Sequence, residues 1–172
     1  MDDVPDQGFG AALSSQLSTR FLGRPLHFFD TIDSTNIYAA RLARDGETEG
    51  SVVIADAQTG GKGRLGRSWV SPPGVNLYLS VLLRPSKPAS CAPQLSLLAA
   101  VAVAEAITQE TRLSPTIKWP NDVLVSGRKV CGILTELQTK TQHLQAVIVG
   151  IGINLNAPLA AFPEKLRDKA SS

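Results

Sequence analysis

Cysteine and histidine are scarce in this chain of 172 residues, which contains two of each. Cys91 and Cys131 have neither the spacing nor the number that a metal site, a redox motif or a disulfide framework requires. His27 and His143 are too few for a typical histidine-based zinc site. A Gly-x-Ser-x-Gly motif and a serine–histidine–acid arrangement are also missing, so hydrolysis by an activated serine is not indicated.

Long apolar runs and a large net charge are absent as well. The longest apolar run, residues 97–104, is too short to span a bilayer. The N-terminus begins Met-Asp-Asp and lacks the basic and apolar regions of a signal peptide. A net charge of +2 argues against general binding of nucleic acid. We therefore expect a cytoplasmic protein that engages neither nucleic acid nor a membrane.

Acidic residues are missing from one long interval, between Asp56 and Glu105, although that interval contains five cations. Three of the cations fall within residues 58–69, Gln-Thr-Gly-Gly-Lys-Gly-Arg-Leu-Gly-Arg-Ser-Trp, which also hold four glycines. Glycine lets backbone N–H groups approach an anion closely, and arginine can grip a phosphate with two hydrogen bonds. This loop therefore predicts an anionic small-molecule ligand, with Trp69 offering a flat face to an aromatic base.

The same loop matches two familiar glycine motifs, but its context fits neither. Residues 61–66 read Gly-x-Gly-x-x-Gly, yet Pro72 and Pro73 follow, so the long helix that this motif should open cannot form. Residues 61–68 imitate a P-loop with Arg67 at the position of the essential lysine. A mobile basic surface loop is the remaining alternative.

Apolar periodicity and turn residues predict an α+β fold. Strands are expected over residues 25–32, 51–57, 76–84, 116–119, 123–125, 129–138 and 144–155. Helices are expected over residues 12–21, from the cap candidates Asp33, Ser34 and Thr35 to Arg44, over 92–110 as the central core helix, and from 162 to 169. We predict a mixed, largely antiparallel sheet with helices mainly on one face. Residues 1–20 form a loose N-terminal segment with a short helix, and 21–172 form one domain.

Three further short motifs contain residues of the types that bind metals, anions or other ligands. Residues 118–122, Lys-Trp-Pro-Asn-Asp, could supply a carboxylate to the Mg²⁺ that accompanies phosphates, or could be an ordinary turn. Lys129 precedes a strand that contains Gly132, which indicates a bulge or a close approach. Between them, Cys131 is either a small apolar residue or, less readily, a nucleophile.

The third motif, residues 150–156, reads Gly-Ile-Gly-Ile-Asn-Leu-Asn. The missing side chains of Gly150 and Gly152 would leave room for a ligand against the sheet, unless the glycines only mark a bulge. Asn154 carries both a donor and an acceptor, which is the pairing that an adenine edge requires.

Four blocks of sequence, taken in order, resemble the biotin protein ligase family over about residues 20–170. They are residues 33–36 (Asp-Ser-Thr-Asn), 58–69, 118–122, and 129–136 (Lys-Val-Cys-Gly-Ile-Leu-Thr-Glu) followed by 150–154. Each block alone is weak, whereas all four in this order are specific. The resemblance implies the class II synthetase-like fold of biotin and lipoate ligases. It also implies synthesis of biotinyl-5′-adenylate from biotin and ATP with Mg²⁺, and transfer of biotin to one lysine of a biotin carboxyl carrier domain.

The resemblance also implies a set of site residues. The catalytic residues would be Lys129, Arg64 and Lys118. The biotin-binding residues would be Ser34, Thr35, Asn36, Gln58, Lys62, Gly63, Arg64, Lys129, Gly132, Leu134, Gly150 and Gly152. The ATP- or adenylate-binding residues would be Gly61, Lys62, Arg64, Arg67, Trp69, Lys118, Asn121 and Asn154, and Asp122 would bind the metal. Within these sets, Lys129 would hold the biotin carboxylate and the α-phosphate, Trp69 would stack on adenine, and Asn154 would bond its edge.

Two departures from the family pattern qualify these expectations. Lys62 replaces the usual arginine, which keeps the charge but loses the planar fork, so we expect weaker retention of the adenylate. The family usually continues beyond the position of Ser172 through further helix and a small C-terminal β-barrel, and its repressor members carry an N-terminal winged helix. We expect a C-terminally incomplete catalytic domain without repressor function, with a carrier domain as partner and a homodimer as an open option.

Two other interpretations stay open. A lipoate ligase or octanoyltransferase shares this fold, and Cys131 with Lys129 is compatible with the transferase, whereas residues 58–69 and 118–122 argue against it. The other interpretation is a domain that binds biotin or its adenylate without transferring it.

Overall fold

The computed structural model describes residues 5–140 and 143–172, and its centre is a seven-stranded sheet. The strands lie in the order β1-β2-β3-β7-β6-β5-β4. Only the β1–β2 pair is parallel, and the other pairs are antiparallel. The elements are α1 (Gln7–Gln16), β1 (Leu26–Ile32), α2 (Thr35–Arg44), β2 (Val52–Gln58), β3 (Asn76–Leu83), α3 (Ala92–Thr111), β4 (Pro115–Lys118), β5 (Asp122–Val125), β6 (Arg128–Lys140) and β7 (His143–Asn154). The predicted mixed, largely antiparallel sheet is confirmed.

Apolar residues on both faces of the central strands bury the sheet from two sides. In β7, Ala146 and Ile148 join a core cluster with α2, whereas Val147 and Val149 join a second cluster with α3. Because successive strand residues point to opposite faces, α2 and α3 lie on opposite sides of the sheet. Helix α1 packs Phe9 on Phe28, with ring centroids 4.4 Å apart, on the α3 side. Two of the three α-helices in the described part of the chain thus share a face, and the α2 side is left partly open over β6 and β7.

Helix α3 differs from its predicted place as the central core helix. Only Ala92, Ala100 and Val103 are buried, whereas Leu97, Leu98 and Val101 are exposed. By length and composition, residues 89–111 could cross a membrane, but here the helix packs one face on β4, β5, β6 and β7. A sequence that is apolar almost all the way round does not reveal which face packs.

Both ends of the chain also differ from the sequence prediction. The N-terminal helix spans Gln7–Gln16 instead of 12–21, because the Asp6 side chain caps it by accepting from the N–H groups of Gly8 and Phe9. The helix expected over 162–169 is replaced by short 3-10 turns, Leu159–Ala161 and Glu164–Leu166. The polar stretch 139–142 falls partly outside the described residues, since the structure describes neither 141 nor 142.

Candidate functional site

A narrow cleft lies on the α2 side of the sheet, above the glycine-bearing parts of β6 and β7. The start of α2, the end of β2 and the loop after it form the walls. The cavity between them is about 50 Å³. The predicted residues that line it are Ser34, Thr35, Asn36, Gln58, Lys62, Gly63, Trp69, Asn121, Lys129, Gly132, Leu134, Gly150 and Gly152.

Two glycines form the floor of the cleft. The Trp69 ring lies directly on them and leaves no space for a side chain there. Gly132 of β6 and Gly152 of β7 are paired neighbours. A Cβ atom would stand 2.8 Å from the ring at Gly132 and 2.5 Å from it at Gly152. The indole Nε1 of Trp69 is buried without a hydrogen-bond partner. The predicted close approach at Gly132 is therefore present, and the group that approaches is the Trp69 ring.

A bulge in β6 turns Lys129 toward this floor. Val123 pairs with Cys131 and Leu124 pairs with Lys129, so Val130 is an extra residue in the strand. Without it, three residues of strand would place Lys129 and Gly132 on opposite faces. With it, a Cβ at Gly132 would lie 3.0 Å from both Cε and Nζ of Lys129. The bulge thus lies ahead of Gly132, not at it, and no bulge interrupts the pairing of Gly150.

The ammonium group of Lys129 sits between an acid and an aromatic ring. Its Nζ atom is 2.6 Å from Oδ1 of Asp122 and 5.3 Å from the centroid of the Trp69 ring. The two charged side chains are 30% and 24% exposed, so the pair is neither fully hydrated nor fully buried. A cation fixed in this way presents positive charge to the cleft floor.

A hydrogen bond joins Arg64 of the glycine loop to Asn121, which lines the cleft. Nη1 of Arg64 donates to Oδ1 of Asn121 at 2.8 Å, and Nδ2 of Asn121 donates to the carbonyl of Ile133 at 3.0 Å. The glycine loop is folded on itself, since the N–H of Trp69 donates to the carbonyl of Gly61 at 2.8 Å. The loop and the 118–122 turn, predicted separately, therefore meet.

Gln58, at the end of β2, joins the start of α2 to Ser71. Its Oε1 accepts from the backbone N–H of Thr35 at 2.9 Å and from the Thr35 hydroxyl at 3.1 Å. Its Nε2 donates to Oγ of Ser71 at 3.0 Å. Ser71 was missed by the sequence prediction because a single serine outside the motifs carries no signal of its own.

Six predicted residues do not line the cleft itself, and one of them, Asp122, is the ion-pair partner of Lys129. Gly61 and Arg67 border an adjacent groove under the loop. Arg64 borders a second groove beside Trp119, and Lys118 is exposed on the edge strand β4. Asn154 is 5% exposed, and its Nδ2 donates to the carbonyl of Ser171 at 3.0 Å and more weakly to that of Lys129 at 3.5 Å.

Asn154 helps to fasten the C-terminal segment to the backbone of Lys129. The N–H of Lys129 donates to the carbonyl of Lys169 at 2.8 Å, and the N–H of Ser171 donates to the carbonyl of Lys129 at 3.0 Å. Nδ2 of Asn154 donates both of these side-chain hydrogen bonds. The predicted hydrogen bond to adenine would therefore use the side-chain oxygen, Oδ1.

Asp122 is the residue predicted to bind a metal ion. Among residues 5–140 and 143–172, no group of three or more His, Cys, Asp or Glu side chains could hold a metal. Mg²⁺ is commonly held by one or two carboxylates together with the phosphates of a substrate. Oδ1 of Asp122 is paired with Lys129 at 2.6 Å, and the role of Asp122 as a ligand of Mg²⁺ stays a prediction.

Cys131 is unsuited to carry an acyl group. The side chain has no exposed surface, and burial raises the pKa of its thiol to about 12, with Lys129 opposing and Asp122 adding to the shift. A thiol must ionise to act as a nucleophile. The interpretation of Cys131 as a small apolar core residue is supported, and the octanoyltransferase alternative loses its main support.

Alkylation should distinguish the two cysteines. At pH 8 we expect iodoacetamide to label the partly exposed Cys91 and to leave Cys131 unmodified in the folded chain. A Cys91→Ser chain should take up no label until it is unfolded in urea, as measured by intact mass. Rapid labelling of Cys131 in the folded Cys91→Ser chain would contradict this assignment.

The chain belongs to the biotin/lipoate A/B protein ligase family, which it matches over residues 28–154. It is 44% identical over 156 residues to the Bifunctional ligase/repressor BirA of Bacillus subtilis, an alignment that covers 91% of this chain and 48% of that protein. It is 46% identical over 137 residues to the Biotin--[acetyl-CoA-carboxylase] ligase of Paracoccus denitrificans, covering 77% of this chain and 55% of that one. The chain thus spans about half the length of these relatives.

Solved structures agree with this assignment. The biotin protein ligase from Aquifex aeolicus in complex with biotin and ATP superimposes with a TM-score of 0.71 at 38% identity, and the match covers 85% of this chain and 58% of that chain. The resemblance inferred from the four sequence blocks is therefore confirmed at the level of family and fold.

Proposed function

We propose that this chain is the biotin-activating region of a biotin–[biotin carboxyl carrier protein] ligase. The observation that best supports this proposal is that all four sequence blocks meet in one cleft, with the Lys129 ammonium on its floor. In the Aquifex aeolicus relative, the same fold is seen in complex with biotin and ATP. The relatives named above are ligases, which supports ligase chemistry over simple binding.

In this proposal the ring of biotin enters between α2 and the glycine floor, and the nucleotide lies under the glycine loop. Ser34, Thr35 and Gln58 face the biotin ring. The cavity of about 50 Å³ is far below the roughly 300 Å³ at which typical ligand pockets begin. Trp69 must therefore leave Gly132 and Gly152 when biotin binds, and its ring then becomes available to stack on adenine.

The reaction joins two anions and then breaks their product. A carboxylate oxygen of biotin attacks the α-phosphorus of ATP, the bond to pyrophosphate breaks, and biotinyl-5′-AMP forms. The neutral amine of a carrier lysine then attacks the acyl carbon, AMP leaves with the bonding electrons, and the amine loses a proton. Lys129 offsets the repulsion between carboxylate and phosphate, which is electrostatic stabilisation of a transition state. Arg64 covers the adenylate and limits its contact with water.

Further residues, both in the cleft and around it, complete the proposal. Lys118 and Asn121 serve the phosphates, and Asp122 would hold Mg²⁺, which neutralises phosphate charge when bound. Lys62, Arg67 and the N–H of Gly61 contribute to the anion-binding loop. The homodimer, the cytoplasmic location and the absence of a nucleic-acid partner stay predictions.

Incubation with biotin, ATP, Mg²⁺ and a biotin carboxyl carrier domain should test the function. We expect the carrier to gain the mass of one biotinyl group, and omission of ATP to abolish this gain, as measured by intact mass spectrometry. A carrier whose target lysine is changed to arginine is the matched control.

Each failure of this assay has its own meaning. Modification by lipoate in place of biotin would establish the lipoate ligase alternative. Biotin binding without carrier modification would establish a binding domain. If the chain neither binds biotin nor modifies the carrier, the proposal is refuted.

A further inference from the structure

A chain of hydrogen-bonded side chains runs behind the cleft, from β3 through α2 to β6. Its members are Ser80, Thr35, Asn36 and Glu136. Ser80 is completely buried, and Thr35 and Asn36 are 3% and 5% exposed. Buried hydroxyl and amide groups cost stability unless they are hydrogen-bonded. Packing alone would favour apolar side chains here, so the polar chain calls for a functional explanation.

Glu136 and Ser80 hold the Asn36 amide from opposite sides. Nδ2 of Asn36 donates to Oε2 of Glu136 at 2.7 Å and more weakly to the carbonyl of Leu134 at 3.4 Å. Oδ1 of Asn36 lies 2.6 Å from Oγ of Ser80, which is also 2.8 Å from Oγ1 of Thr35. An ionised carboxylate only accepts hydrogen bonds. Glu136 therefore selects the amide orientation in which Nδ2 faces β6 and Oδ1 faces Ser80.

The amide lies on bare backbone between these two supports. Ser80, Gly150 and Leu134 are paired side by side across β3, β7 and β6. A Cβ atom at Gly150 would stand 2.0 Å from Oδ1 of Asn36. The side chain thus crosses the strands in close contact with the sheet, fixed at both ends, and has little rotational freedom left.

We propose that Glu136 and Ser80 are positioning residues for the biotin ring, a role that rests on the proposed function. Thr35 and Asn36 line the cleft, and Glu136 and Ser80 fix which of their atoms donate and which accept. The ureido ring of biotin presents one carbonyl and two N–H groups, whereas the dithiolane ring of lipoate presents none. A site built to hydrogen-bond a substrate rejects an analogue that lacks the matching groups. The pair therefore contributes selectivity for a cyclic urea without touching it.

The experiment must distinguish the hydrogen bond of Glu136 to Asn36 from a second effect, that of its negative charge. It borders the groove that also contains Lys62 and Arg67, so its charge could act on the glycine loop instead of on Asn36. Glutamine removes the charge but keeps an oxygen that can accept from Asn36, whereas alanine removes both.

Calorimetric titration of the chain with biotin, and with lipoate by competition, should test the role. We expect Glu136→Ala to weaken biotin binding about tenfold to a hundredfold, the usual range for a hydrogen bond to a charged group. Ser80 bonds to neutral groups, so we expect Ser80→Ala to weaken biotin binding about threefold to tenfold. The ratio of biotin to lipoate affinity should fall by the same factor. Glu136→Gln should stay within about threefold of the unmutated chain, since it keeps the acceptor. Glu105→Ala, which removes an exposed carboxylate on α3, is the matched control.

Three results would overturn the role. They are unchanged biotin affinity in folded Glu136→Ala, an equal loss of biotin and lipoate affinity, and a loss in Glu136→Gln as large as in Glu136→Ala. Glu136→Met fills the same space without an acceptor, and it replaces the alanine variant if that variant does not fold. If the unmutated chain binds no biotin, the proposed function fails and this inference with it. If the unmutated chain binds biotin and the variants do too, only this inference fails.

Discussion

Replacing Lys129 with methionine should lower the rate of pyrophosphate release from ATP and biotin by about a hundredfold to a thousandfold, the cost typical of removing one preorganised electrostatic contact. The ammonium lies over Gly132, where the bulge at Val130 directs it. Methionine keeps the unbranched shape but leaves the meeting of carboxylate and phosphate without its nearest fixed cation. The measurement is pyrophosphate release at saturating biotin and ATP.

The control for this prediction must separate charge from stability. Lys165→Met removes an exposed lysine from the C-terminal turns and should leave the rate unchanged. The Lys129→Met chain also leaves Asp122 without its 2.6 Å partner, so its urea unfolding is recorded alongside the rate. A folded Lys129→Met chain that releases pyrophosphate as fast as the unmutated chain would show that this lysine is not catalytic.

Local sequence was sufficient to predict most of the sheet. Residues 51–57 and 144–155 contain β-branched runs bounded by turn residues, and both became strands within a residue or two of the expected limits. Ser34 and its neighbours correctly marked the start of α2. Such elements are predictable because the apolar pattern and the turn chemistry agree.

The features that local sequence could not predict depend on contacts between distant residues. Asn36 and Glu136 are 100 positions apart, and nothing near either of them in the chain indicates the bond. The bulge at Val130 follows from how β5 aligns with β6, and a one-residue shift of this kind leaves no mark in an apolar strand. It nevertheless decides which face of the sheet receives Lys129.

The glycines of the cleft lie where the sequence predicted, but they accommodate protein side chains and not a ligand. Gly150 and Gly152 were expected to leave space for a ligand, and Gly132 was expected to mark a bulge or a close approach. All three line the cleft. In the structure two of them accommodate Trp69 and the third accommodates Asn36. A missing side chain indicates close approach, but the sequence does not identify the group that approaches. Asn154 is similar, because its amide pairs with a C-terminal segment that local patterns could not place.

Gly150→Ala should be the most destabilising single substitution in the cleft, with a loss of about 3 kcal/mol in the free energy of unfolding. Its new methyl group would stand 2.0 Å from Oδ1 of Asn36. The amide would have to leave both Ser80 and Glu136, and buried polar groups would lose their partners. Alanine loses about 0.5–1 kcal/mol less conformational entropy than glycine on folding, which is too little to compensate. The measurement is the midpoint of urea unfolding, with an unchanged slope showing that the transition itself is the same.

Gly152→Ala provides the matched comparison on the same strand. There the methyl group would stand 2.5 Å from the Trp69 ring, which belongs to a loop and not to the buried polar chain. The loop can move the ring away, so we expect Gly152→Ala to lose less than about 1 kcal/mol of stability, as substitutions outside buried networks usually do. Both variants should bind biotin weakly, the first because Asn36 is displaced and the second because the methyl group occupies the floor. If Gly150→Ala also lost less than about 1 kcal/mol, Asn36 could leave Gly150 at little cost, and the polar chain would not depend on a bare strand beneath it.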